Sequence, residues 1–134
     1  YQALLQLVQV HAQIRATVPS LVSRVIAALV EIMADAILDA YCRIPAFNTG
    51  GMLQATLEIE FVHQTMSFHV SPKAESTLKH VYDTISQRYS ASAQGQKPAD
   101  LKHAIESVKH TRNASRKATA LAFLCFRRPK TTGT

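Results

Sequence analysis

Six histidines, two carboxylate pairs, two cysteines and one glycine pair are the residues here whose types could do chemistry. Their spacing argues against it. His11, His63, His69, His80, His103 and His110 are the possible metal ligands. His63 and His69 stand six apart across a helix end and His103 and His110 seven apart among basic neighbours, and neither HExxH nor CxxC occurs. These histidines read as solvated or half-buried, and no metal or cofactor is expected. Glu58 and Glu60 are two apart, so on a helix they point about 200° from each other and cannot act as a pair on one group. Asp35 and Asp39 share a face at i and i+4, where like charges mildly repel and mark a solvated surface. Cys42 and Cys125 belong to no nucleophile motif and read as small core residues of a reduced, cytosolic protein. Gly50-Gly51 precedes a helix, but no strand leads into it and the GxxxxGK[ST] spacing is missing, so it is not read as a phosphate cradle. With no catalytic, cofactor-binding or metal residue expected, the chain is not expected to be an enzyme.

What remains is charge. Residues 1–67 hold three Lys/Arg against five Asp/Glu and residues 68–134 hold twelve against four, which gives −2 and +8 within a total of +6. The last helix is the positive pole. Lys102, Lys109, Arg112, Arg116, Lys117, Arg127, Arg128 and Lys130 form the candidate interaction face. Three readings stay open for it: an ordinary solvated face, contact with an acidic protein or anionic lipid, and nucleic acid. Exposed aromatics or a groove-sized turn would favour the last, and neither is evident.

The elements that must position these residues are all helical. The 134 residues are 47% apolar with four Gly and five Pro, enough for one domain with a real core. Helices are expected at about 1–16, 19–43, 51–68, 72–89 and 98–126. Leu4, Leu5, Leu7, Val8, Val10 and Ile14 recur at three and four in the first. Pro19 fits a first helical turn, with Thr17 or Val18 extended before it, although a kink in one long helix is the competing reading. Leu21, Val22, Val25, Ile26, Leu29, Ile32, Met33, Ala36, Ile37 and Ala40 make a stripe wide enough for neighbours on more than one side. Its charges, Arg24, Glu31, Asp35 and Asp39, come about once per turn and exclude a membrane span. Pro45 stops that helix. Asn48-Thr49-Gly50-Gly51 then supplies positive φ for a sharp reversal, with Asn48 or Thr49 as cap, and Met52, Leu53, Leu57, Phe61 and Val62 line one face of the third helix. Ser71-Pro72 opens the fourth, with Ala74, Leu78, Val81, Tyr82, Ile85 and Tyr89 inward. Residues 90–97 read as a loop, and Leu101, Ile105, Val108, Thr111, Ser115, Ala118, Ala122 and Cys125 keep one face in the fifth, whose weak point is Asn113 to Ser115. The Asn113-Ala114-Ser115 sequon is a pattern only. Short loops favour an antiparallel, up-and-down bundle or a slice of an elongated helical rod. The abrupt start at Tyr1 suggests a piece of a longer protein.

The segment Phe47-Asn48-Thr49-Gly50-Gly51-Met52-Leu53-Gln54-Ala55-Thr56-Leu57-Glu58-Ile59-Glu60-Phe61 resembles the signature of an aromatic, Gly-Gly, Leu-Gln and an acidic-apolar helix found in C-terminal regions of vesicle-tethering subunits. Leu21 to Ile26, Val70 to Ala74 and Tyr82 to Ser86 are similar in kind. Together they most resemble the Sec-five subunits of the exocyst in their fungal-type version, within the tethering-complex (CATCHR) superfamily of helical rods, over about residues 17–90. The resemblance implies a non-enzymatic scaffold that helps tether secretory vesicles to the plasma membrane before SNARE-mediated fusion. It also implies a cytoplasmic protein, peripheral at sites of exocytosis. The partners it implies are other exocyst subunits, small GTPases acting through other parts of the full-length protein, and anionic membrane lipid; nucleic acid is not expected. Subunits of the related Golgi and endosomal tethering complexes carry similar glycine-turn patterns, and a basic nucleic-acid-binding module or a small-molecule-binding bundle are the readings from other classes. In the resemblance Gly50 and Gly51 are structural turn-makers.

Overall fold

A computed structural model describes residues 1–92 and 98–127. They form five α-helices: α1 (Gln2–Thr17), α2 (Val22–Cys42), α3 (Thr49–Thr65), α4 (Pro72–Ser92) and α5 (Pro98–Ala118). No strand occurs among the described residues, and the all-α reading holds. Local chemistry sets most of the helix starts. Val18 leaves the helical region at φ −139°, ψ 80°, and Pro19 opens a 3-10 turn, Pro19–Leu21, before α2 begins at Val22. The joint is an elbow and not a kink, because α1 packs back on α2. Asn48 Oδ1 accepts the Gly51 amide at 2.7 Å to cap α3, and Ser71 Oγ accepts the Ala74 amide at 3.2 Å to cap α4.

Direction alternates along the chain, but the tightest packing skips a helix. α4 lies on α2 and α5 on α3. Ser71 bonds Glu31 near the start of α4 and Arg88 reaches Tyr41 and Cys42 near its end, so α2 and α4 run parallel. His63 meets Glu75, and Glu60 lies beside Tyr82, so α3 runs antiparallel to α4. Arg112 meets Glu60, and Gln64 shares a cavity with Arg116 and Ala120, so α3 and α5 run parallel. One core collects Leu4, Ile26, Val30, Ile59, Met66, Leu78, Val81 and Phe126. α3 is central: its side chains are buried or half-buried almost all round, with Ala55 and Ile59 deepest, where the stripe through Leu53 and Leu57 was expected.

Several sequence expectations are corrected. Gly50 and Gly51 sit inside the first turn of α3, and neither has a positive φ. At Gly51 a Cβ would stand 3.1 Å from Asn48 Oδ1, so that the capping side chain would have to shift by a few tenths of an ångström, and 3.6 Å from Phe47 Cδ1, an ordinary contact. At Gly50 the nearest atom would be 3.7 Å away, an ordinary contact. α3 ends at Thr65 and not at 68, since a 3-10 turn, Ser67–His69, tightens the elbow under the buried Met66. α4 runs on to Ser92, through the start of the expected loop; residues 93–97 of that loop lie outside the described residues. Ile32, on the expected stripe of α2, is 64% exposed, and Cys42, expected in the core, is exposed at the last turn of α2.

The largest correction is at the end of α5. The helix stops at Ala118, not at 126, and residues 119–127 continue as a run of irregular turns, a hook ending in the 3-10 turn Leu124–Phe126. No Gly or Pro causes this. Continuing the helix would hold Ala118, Ala122 and Cys125 on one face, whereas the hook buries two aromatic rings. Phe123 meets Tyr1, Phe61 and Phe126 at 5.6, 6.0 and 6.4 Å between centroids. Phe126, 1% exposed, meets His11 and His69 edge-on at 5.8 and 6.0 Å. Each ring buried this way is worth on the order of 2–3 kcal/mol.

Candidate interaction face

The expected basic face of α5 divides once each side chain is located. Arg112 belongs to the inside. Its Nη1 donates to Glu60 Oε2 at 3.1 Å, with the two side chains 25% and 29% exposed, so it clasps α5 to α3. Glu60 also accepts from Gln64 Nε2 at 3.1 Å. Burial and this neighbouring carboxylate push the Tyr82 phenol well above its ordinary range. Lys109 pairs locally with Glu106 at 3.2 Å on the surface, a contact of little energetic consequence. Arg116, Lys117 and Arg127 are exposed. The side chain of Lys102, and Arg128 and Lys130, lie outside the described residues.

The acidic residues of α2 and α3 also have partners, while Asp35 and Asp39 stay 55% and 65% exposed on the solvated face that their spacing marks. Glu31 accepts from Ser71 Oγ at 2.5 Å and stands 3.5 Å from Lys73 Nζ. The Ser71 hydrogen bond, with Lys73 behind it, holds its carboxyl below the usual range. Asp35 lies 3.8 Å from Lys73, and Asp39 pairs with Arg43 at 2.6 Å. Glu58 and Glu60 diverge as their spacing requires: Glu58 accepts from the Tyr41 hydroxyl at 3.0 Å and from Gln54 at 2.7 Å, while Glu60 turns to α5. An apolar groove of about 540 Å³ opens beside Tyr41, between Leu4, Ile37 and Phe61, and two of its polar groups, Tyr41 and Glu58, are engaged with each other.

Sequence reasoning missed Arg88. Its Nη1 donates to the carbonyls of Tyr41 at 3.0 Å, of Cys42 at 2.7 Å and of Ile44, so a side chain from α4 closes the C-terminal end of α2, where no glycine follows to do so. It also missed the apolar content of the basic end. The α1–α2 elbow, the α3–α4 elbow and the hook meet at one end of the bundle, around a groove of about 990 Å³. Phe68, Leu121 and Leu124 stand there 58%, 86% and 57% exposed. A smaller cavity of about 320 Å³ lies on the other flank of the hook, with Arg116 in its wall, and Arg127 lines both. Neither space has a carboxylate among its described lining residues. The only sequence signal for this patch was a run of large apolar residues placed off the face expected of α5.

Beneath the groove, His11 and His69 grip Phe126. Burial, with Arg15 behind it, lowers the His11 pKa; burial, with His11 behind it, lowers that of His69. Burial raises the Cys125 thiol. Among the described residues, no three of His, Cys, Asp and Glu gather as a metal ligand set, and no helix is long and apolar enough to cross a membrane.

Comparison with known proteins adds a direct relationship. The family model described as exocyst complex component Sec5 matches residues 1–126. The chain is similar to human exocyst complex component 2, at 27% identity over 86 residues covering 64% of this chain and 9% of the relative. It is similar to mouse exocyst complex component 2 at 26% identity over 125 residues, covering 93% of this chain and 12% of the relative. The chain thus spans about a tenth of the length of these relatives. No solved structure matches.

Proposed function

The chain belongs to the exocyst complex component Sec5 family, and from that premise we propose that it is a non-enzymatic scaffold piece of an exocyst subunit, taking part in tethering secretory vesicles to the plasma membrane before SNARE-mediated fusion. The observation that carries the reading is the family match over residues 1–126, nearly the whole chain. The all-helical, alternating fold suits a slice of a longer rod, in which helices present faces for contact and no assembled reactive group is needed. The reading extends to the C-terminal rod region of a fungal-type version, motivated by the segment from Phe47 to Phe61. Its partners are other exocyst subunits, with small GTPases engaged through parts of the subunit outside this chain. Its place is the cytoplasm, peripheral at membrane sites of exocytosis. Gly50 and Gly51 serve structure in this reading, and the exposed Arg116, Lys117 and Arg127 serve contact, joined in the proposal by Lys102, Lys109 and Arg128, while Arg112 holds α5 in place.

The test is recovery of partners by the purified chain from cytosolic extract at moderate salt, with and without nuclease, read by mass spectrometry. Exocyst subunits recovered equally in both arms are the expected result. Recovery of partners that disappear with nuclease, and of no exocyst subunit, would transfer the +8 half to nucleic-acid binding. Recovery of Golgi or endosomal tethering subunits instead would move the chain's role to those complexes.

A further inference from the structure

Three features coincide at the hook end. Large apolar side chains are exposed on it: Phe68, Leu121 and Leu124, at 58%, 86% and 57%. The surface is concave, a groove of about 990 Å³ with the smaller cavity on its other flank. Arg15 on α1 and Arg127 on the hook stand in the walls of the groove, Arg116 on α5 lines the smaller cavity across the hook, and neither space has a carboxylate among its described lining residues. An exposed apolar cluster of this kind in a basic frame marks a contact site. Residues 128–134 add Arg128 and Lys130 and no acidic side chain, so those seven residues do not supply the complementary charge.

We propose that this groove is a docking site for an acidic amphipathic helix of a partner protein, which inserts its apolar ridge beside Phe68, Leu121 and Leu124 and sets its carboxylates against Arg15 and Arg127. A helix in a groove presents anchors at i, i+3 or i+4 and i+7, and opposite charge along the rim selects which helix enters. Concavity favours a helix over a flat bilayer, because a planar surface reaches the rim arginines and leaves the groove floor empty. The inference deepens the reading of the basic end as a contact surface.

The test uses the 134-residue chain and a fluorescent helical peptide with Leu or Phe at i, i+4 and i+7 and Glu on its flanks, read by anisotropy. A second peptide has every Glu replaced by Lys. Expected are binding of the Glu peptide at least about tenfold tighter than the Lys peptide, a comparable loss in L121S/L124S, and a smaller loss in R15E or R127E that shrinks further with salt. All four positions are exposed, and unchanged thermal melts check that each variant is folded. Equal affinity for both peptides, or binding indifferent to the substitutions, overturns the proposal. So does substitution-sensitive recruitment to vesicles of phosphatidylcholine and phosphatidylserine without peptide binding, which would give the patch to lipid. Self-association of the chain abolished by L121S/L124S, with no peptide binding, would give it to a second copy. Failure in any of these ways leaves recovery of exocyst subunits intact, whereas failure of the family-based role would abolish that recovery and leave peptide affinity unchanged.

Discussion

The α2–α4 face and the hook end are built from similar residue types and use them in opposite ways. Between α2 and α4, charges find partners within the fold: Glu31 with Ser71 and Lys73, Asp35 with Lys73, and Arg88 with the last carbonyls of α2. At the hook end the cations Arg116 and Arg127 are exposed and the large apolar side chains Phe68, Leu121 and Leu124 face outward, while Phe123 and Phe126 carry the attachment. One region spends its polarity on holding two helices in register. The other holds itself by two rings and leaves Arg116 and Arg127 and the side chains of Phe68, Leu121 and Leu124 for something else.

That contrast can be broken most forcefully at Phe126. Its removal in Phe126→Ala leaves a cavity between His11 and His69, and the expected loss is about 3–5 kcal/mol by urea denaturation. The hook should also become the first site of proteolysis. A loss below about 1 kcal/mol would mean the hook is not anchored by its rings. Arg88→Met is next, at about 1.5–3 kcal/mol, because it removes charge-assisted hydrogen bonds and leaves the half-buried carbonyls of Tyr41 and Ile44 without their donor. Amide exchange should rise at the amides of Cys42 and Arg43 before it rises elsewhere. Unchanged exchange there would show that the end of α2 is closed by some other group.

The smallest effect is that of pH, and it sharpens the comparison by acting on the hook alone. His11 and His69 both have lowered folded-state pKa values, so the unfolded chain binds more protons at mildly acid pH. Their contribution is fully present above the ordinary histidine value of about 6.5 and is lost as pH falls from there toward the folded-state values. Arg15, Arg127 and the Cys125 thiol face the same groove, and the two arginines stay charged throughout that window. The urea midpoint should therefore drop between about pH 7 and about pH 5, and the drop should shrink in His11→Asn. An equal drop in the variant would locate the proton uptake elsewhere.

Before any coordinates, local chemistry already fixed where most helices begin. Pro19, Asn48, Ser71-Pro72 and Pro98 act through their own backbone or the next turn, so a linear reading finds them, and the inward residues of α4 follow from their spacing alone. The two-residue spacing of Glu58 and Glu60 likewise determined that they would serve different neighbours. The positive charge of residues 68–134 was also legible. Tertiary structure decided the rest. The end of α5 at Ala118 has no local stop signal; it is set by Phe123 and Phe126 finding rings on α1 and α3. What crowds Gly51 is the capping oxygen of Asn48 at 3.1 Å from where a Cβ would stand, and not its own φ. Arg112 and Arg116 look alike in sequence, four residues apart on one helix, yet one meets Glu60 from α3 and the other meets solvent. Partnership across helices depends on which helices lie side by side, and the parallel pairing of α2 with α4 and of α3 with α5 is a property of the packed bundle that no single helix encodes.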